Sequence, residues 1–135
     1  MNIKLFIKGF TLLVFTGFIL SAFTAISNDP WPVPSKYDKM KNPVSADKES
    51  IAIGKSLYTK HCKSCHGSKG LGDGTKAAQL DTHCGDFSTT AFQKQSDGAI
   101  FYKTATGRED MPSFKKKIPV EEDIWHVVNY VRTMK

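Results

Sequence analysis

Convincing strand alternation is missing from the sequence, and without it the periodic segments leave an all-α domain with long loops. Cysteine is scarce: three in 135 residues cannot form a self-contained disulfide framework. There are no internal repeats and no second Cys-x-x-Cys. Acidic residues number 13 against 19 Lys and Arg, for a net charge of +6, and charge of either sign is absent from Gly9 to Asn28. Hydrophobic residues make up 40% and charged residues 24%, which excludes both a disordered tail and a multi-span membrane protein. The length is that of one domain. A domain this small often needs a staple such as a metal, disulfides or a large cofactor.

The apolar residues are concentrated at the start. Lys4 and Lys8 precede a stretch dominated by Phe, Leu, Val and Ile from Phe10 to Phe23, then small residues, with Ala25 and Ser27 suited to cleavage before Asn28. This three-part pattern predicts a secretory signal over residues 1–27. The rival is an uncleaved anchor, because the charge-free stretch approaches the roughly 20 residues that span a bilayer. Either way the lysines stay inside and everything after residue 28 is exported, which places the protein in the periplasm or on the outer face of the cytoplasmic membrane. Residues 28–46 hold four of the six prolines, including Pro-Trp-Pro-Val-Pro, and read as a proline-rich linker, a tether or surface arm that Trp31 could anchor.

Residues 47–135 form the expected domain. Ser45 is a suitable N-cap, with Asp47 and Glu49 in the first turn of a helix running to His61. Ile51, Gly54, Tyr58 and Cys62 share one face of it. Glycine inside a helix costs about 1 kcal/mol relative to alanine, so Gly54 predicts close approach of another helix. Gly67, Gly70, Gly72 and Gly74 mark a loop. A second helix is expected from Ser96 and Asp97 to about Thr104. A last one begins at Glu121–Asp123, with Ile124, Val127, Val128 and Val131 on its buried face.

The chemistry lies in Cys62-Lys-Ser-Cys65-His66. In Cys-x-x-Cys-His, both thiols add to the vinyl groups of a haem and the adjacent imidazole ligates its iron. Two other readings compete. A zinc site needs four ligands, which Cys84 and His83 could complete. A thioredoxin-like pair expects a preceding strand and a βαβ context, which are missing.

Gly54-x3-Tyr58-x3-Cys62-Lys-Ser-Cys65-His66-Gly67 with Gly70-Leu-Gly-Asp-Gly74, Thr106-Gly-Arg-Glu-Asp-Met111-Pro112-Ser-Phe114, and the terminal helix with Trp125 and Tyr130 together resemble the class I c-type cytochromes. The likeness covers about residues 47–135. It implies a cytochrome c fold of three to five helices wrapped around one covalent haem c. It also implies first and last helices that cross, with Gly54 against Tyr130. The candidates for the second axial ligand are Met40, Met111, Met134, His61, His83 and His126. His61 adjoins Cys62 and cannot reach the opposite haem face. Met111 lies between two helices with Pro112 behind it, the Met-Pro context in which the family places its axial methionine. His83 or an open iron position are the alternatives. Cys84 departs from the family, which often has proline near this place; it reads as a small packed thiol, with an intermolecular disulfide as the rival.

These residues imply a monohaem electron carrier with His66 and Met111 as axial ligands. It is not itself an enzyme, and it exchanges electrons with a redox donor and acceptor such as a terminal oxidase or dehydrogenase. The alternatives are the electron-accepting haem subunit of an exported dehydrogenase, or a haem enzyme acting on peroxide, which needs an open iron position. Lys60, Lys63, Lys69, Lys76 and Lys115 to Lys117 are either a solvated face or a rim around the haem edge that steers acidic partners. Nucleic acid does not fit an exported haem protein.

Overall fold

A computed structural model describes residues 30–135. The expected signal or anchor over residues 1–27 lies outside the described residues. Trp31–Lys135 form one compact unit. Its elements are α1 (Ser35–Asp38), α2 (Lys48–His61), α3 (Lys63–His66), a 3-10 turn (Ala77–Gln79), α4 (Thr90–Gln93), α5 (Asp97–Thr106) and α6 (Glu121–Val131). The described residues contain no strand, only an isolated bridge between Arg108 and Met111. The fold is the all-α one expected from the sequence.

Each long helix starts where its sequence allows. The N-cap of α2 is Asp47, whose carboxylate accepts from Ser50 N at 2.8 Å. Ser45, the expected cap, precedes it, and the charged acceptor two residues on takes the position. Ser96 caps α5, accepting from Ala99 N at 3.0 Å. No side chain caps α6, but Glu121, Glu122 and Asp123 fill its first turn, where the helix dipole favours anions.

The core is the crossing of α2 and α6. Gly54 sits at that crossing: a Cβ there would run into the backbone carbonyl of His126 and the Cβ of Tyr130. The close approach explains why a glycine is tolerated inside the helix. Tyr58, one turn further on, meets the Tyr130 ring edge-on at 5.3 Å between centroids. From α6, Ile124, Val127, Val128 and Val131 are all buried, and Trp125 stacks on Phe101 of α5 at 4.2 Å. Each such side chain contributes about 1.5–3 kcal/mol relative to exposure. Asn129 is also buried. Its amide donates to the Ser50 hydroxyl at 2.8 Å and accepts from Asn42 at 2.8 Å, satisfying a polar group that would otherwise be costly.

That last bond belongs to the arm. Far from hanging free, residues 31–46 lie along α5 and α6 and contain one helical turn, α1, just past the prolines. The Tyr37 ring lies 4.8 Å from that of Tyr102, and Asp38 accepts from Ser96 Oγ at 2.9 Å.

Candidate functional site

The end of α2 hands the chain directly to the Cys-x-x-Cys-His motif. Cys62 is the last cap of α2 and the first of α3, and its amide still donates to Tyr58 O at 2.8 Å. The single turn of α3 then bonds Cys65 N and His66 N back to Cys62 O, at 3.1 and 2.9 Å. Two bonds on one carbonyl fix both side chains relative to Cys62. The buried Tyr58 hydroxyl donates to Gly67 O at 2.7 Å, tying α2 to the residue after His66. Burial holds the Tyr58 phenol well above its ordinary pKa, so it stays a donor.

The glycine-rich loop folds back on the motif. Gly72 N donates to His66 O at 3.0 Å, Gly74 N to Cys65 O at 3.1 Å and Lys76 N to Ser64 O at 2.8 Å. A side chain on Gly74 would collide with the carbonyls of Ser64 and Cys65, so glycine is required for these bonds to form.

Met111 arrives from another part of the chain. Arg108 and Met111 exchange backbone bonds in both directions, each 2.9 Å, in a tight turn whose Glu109 takes the left-handed conformation at φ 52°. This turn presents Met111 to the same cavity that Cys62, Cys65 and His66 line. The cavity is about 640 Å³ and is walled by apolar side chains including Leu80, Phe87, Phe92, Ile100, Val127 and Val131. Phe87 lies against the His66 ring, 4.6 Å between centroids.

The electrostatics suit neutral ligands. Burial lowers the pKa of His66, and the nearby Cys84 backbone offsets part of that lowering. His66 Nδ1 nevertheless lacks a well-aligned partner in its buried position. Burial, with Cys65 adding to it, pushes the Cys62 thiol up to about 12. Cys84 is likewise raised, by burial and then by Cys65 and Asp110.

Of the other candidate ligands, His61 and His83 also line the cavity, whereas Met40, Met134 and His126 do not. His83 Nδ1 accepts from Gly85 N at 3.0 Å within its own loop. His126 bonds Ser50 Oγ at 2.8 Å, and Met134 is buried with its sulfur beside Gly70. Among the described residues no three His, Cys, Asp or Glu side chains converge to hold a metal ion by themselves, so the zinc reading is not assembled. Of the lysines expected around the site, Lys60, Lys76 and Lys117 line the cavity, as do the acidic Glu109 and Asp110. Lys63, Lys69, Lys115 and Lys116 are exposed and lie outside its lining.

The sequence did not single out Trp31, Lys103 or Arg108 as cavity residues, yet all three line it. The role of the Tyr58 hydroxyl was also missed. Its position one turn before Cys62 was the available signal.

Two thiols, a buried imidazole and a thioether facing one apolar space fit a haem: thiols for its vinyl groups, nitrogen and sulfur for its iron. The comparisons agree. The family model described as cytochrome c oxidase, cbb3-type, subunit III matches residues 49–131. No curated protein is similar enough to be matched to the chain. Among solved structures, the chain is similar to a reducing HAO-like protein complex of Kuenenia stuttgartiensis, with 26% identity and a TM-score of 0.62. That match covers 78% of this chain and 51% of the other, so the chain spans about half the length of that relative. The KustC0563 c-type cytochrome is 32% identical with a TM-score of 0.53, over 61% of this chain and 96% of its own. A cytochrome cL of Methylophaga aminisulfidivorans shares the fold at 24% identity and a TM-score of 0.51, over 64% of this chain and 56% of its own.

Proposed function

The chain belongs to the family of cytochrome c oxidase, cbb3-type, subunit III, and is a class I c-type cytochrome; from that membership we propose a monohaem carrier with His66 and Met111 as axial ligands. Its activity is haem-based electron transfer with redox proteins as partners. Bound haem c supplies an iron that takes up and releases one electron between ferric and ferrous states.

The chain's own residues do the rest. Cys62 and Cys65 would hold the haem, each S–H adding across one vinyl double bond to leave a thioether and no leaving group. His66, buried and neutral, offers a ring nitrogen on the side set by α3. Met111 offers a thioether, which favours the ferrous state and raises the potential. Phe87 and the valines of α6 exclude water from the space between them. The observation that carries the reading is the meeting of Cys62, Cys65, His66 and Met111, from separate segments, in one apolar cavity. A peroxide-acting enzyme requires an open iron position, and the reciprocal Arg108–Met111 bonds that hold Met111 at the cavity argue for a filled one.

Residues 1–27 serve as a signal or anchor and residues 47–135 as the haem domain, exported to the periplasm or the outer membrane face. Among the described residues no helix is long and apolar enough to cross a membrane. Lys60, Lys76 and Lys117 at the cavity steer an acidic partner to the haem edge. The runner-up, an electron-accepting subunit of an exported dehydrogenase, draws on the similarity to a chain of a larger protein complex; it uses the same haem chemistry.

The test has two parts. Haem should stay on the polypeptide through acid–acetone extraction, and Met111→Ala should lose the weak near-red sulfur-to-iron band, show a lower potential and gain carbon monoxide binding. Freely extracted haem sinks the covalent assignment. An unaltered Met111→Ala spectrum, or rapid carbon monoxide binding by the unmodified protein, sinks the axial assignment and favours the peroxide enzyme.

A further inference from the structure

Two exposed carboxylates stand immediately before Met111, and one residue of another segment holds both. The backbone N–H of Thr82 donates to Asp110 Oδ2 at 2.8 Å, and its hydroxyl donates to Glu109 Oε2 at 3.2 Å. These bonds span 28 and 27 positions of the chain, and neither belongs to a helix. Thr82 is half-buried and lines the cavity together with Glu109, Asp110 and Met111. The other oxygen of Glu109 lies 3.8 Å from Arg108 Nε.

The left-handed conformation of Glu109, φ 52°, is one that a residue with a side chain keeps only where its surroundings impose it. The bond from the Thr82 hydroxyl is one such constraint. Downstream, Ser113 Oγ donates to Ala105 O at 2.7 Å and Phe114 N to Thr104 O at 3.3 Å, so the chain after Met111 is fixed to the end of α5. Met111 therefore sits between two fixings, one local on α5 and one distant on Thr82. The distant one belongs to the loop that packs beside His66. Two residues after Thr82, the Cys84 backbone lies near the His66 ring. Phe87 of the same loop lies against that ring, and its amide donates to Gly70 O at 2.7 Å.

We propose that Thr82 is a positioning residue: it clasps the Met111 turn to the loop beside His66, so that departure of the Met111 sulfur from the iron requires the clasp to open. This rests on the axial assignment above. The reciprocal Arg108–Met111 bonds hold the shape of the turn but do not by themselves fix where it sits. The clasp does that from the side away from α5. Its acceptors are exposed, so water competes for them and each bond contributes modestly. The consequence is a rate and not a change of resting geometry. Local opening is governed by the few contacts that resist it, and an external ligand reaches the iron only while the sulfur is away.

The experiment follows cyanide binding to the ferric full-length holoprotein by stopped-flow absorbance, together with hydrogen exchange of its backbone amides. Thr82→Val removes the hydroxyl and keeps the branched shape. It should retain the near-red band and bind cyanide about 2- to 10-fold faster, the fold-change that one hydrogen bond supplies. Exchange at the Arg108 and Met111 amides should speed up while the α6 amides stay as in the parent. Thr82→Ser, which keeps the hydroxyl, should behave like the parent, and Asp110→Ala, which breaks the second bond, should also speed cyanide binding. In Met111→Ala, where the iron position is open, Thr82→Val should add nothing. A Met111→Ala protein that keeps its near-red band sinks the axial reading, and the clasp with it. Where that band is lost, three results overturn the clasp alone: the parent's cyanide rate in Thr82→Val, an equal acceleration in the Met111→Ala background, or exchange that rises throughout α6.

Discussion

Replacing Gly54 with alanine sets two effects against each other in a single atom. Intrinsic helix propensity favours alanine by about 1 kcal/mol. Against it stands the crossing with α6, where the new Cβ would overlap the His126 carbonyl and crowd Tyr130 Cβ. Overpacking costs about 1–3 kcal/mol, and the upper end applies where the obstacle is helix backbone that cannot rotate away. The net loss is then about 2 kcal/mol, or a fall in Tm of roughly 8–16 °C for a unit of this size. Thermal unfolding of the holoprotein followed by circular dichroism reads it directly. Ala52→Gly, at an exposed position of the same helix, isolates the backbone effect and should cost about 1 kcal/mol. A Gly54→Ala protein as stable as the parent, or more so, would refute the close crossing as the reason for the glycine.

Tyr58→Phe should leave the visible spectrum in place but cost about 1–3 kcal/mol, because the buried Gly67 carbonyl loses its partner; a denaturant midpoint equal to that of the parent would show that water replaces the hydroxyl without penalty. Changing Lys60, Lys76 and Lys117 to glutamine should slow electron transfer to an acidic partner in stopped-flow measurements and flatten its dependence on salt, with a much smaller effect from Lys115 and Lys116. Equal effects from the two sets would move the docking surface away from the cavity.

The last helix was readable because its buried residues follow the helical period without interruption. The Cys62–His66 motif was readable because its spacing is dictated by the cofactor and not by the fold. Where two cap-forming residues stood close together, as at Ser45 and Asp47, local chemistry could not choose between them. The short turns α1 and α4 have too few residues to show any period, and tertiary contacts hold them. The arm had two readings, a tether or a surface arm, and the sequence could not choose between them. Prolines signal extended chain whether or not it is bound, and the partners that bind Trp31 lie more than seventy positions away in Lys103 and Arg108. A one-dimensional pattern holds no trace of such a contact. The same limit applied to Cys84: its thiol was visible, but the nearness of its backbone to the His66 ring was not.

The crossing of α2 and α6 has a consequence in time as well as in space. Ser50 and His126, which touch across it, are 76 residues apart. Closing so long a loop is entropically costly, and the contacts of the crossing itself form only once both helices are present. The segment bearing Cys62, Cys65 and His66 therefore leaves the ribosome well before the helix that will seal the cavity behind it. Order of synthesis therefore leaves an interval in which the motif exists and the helix that lines the far side of its cavity does not.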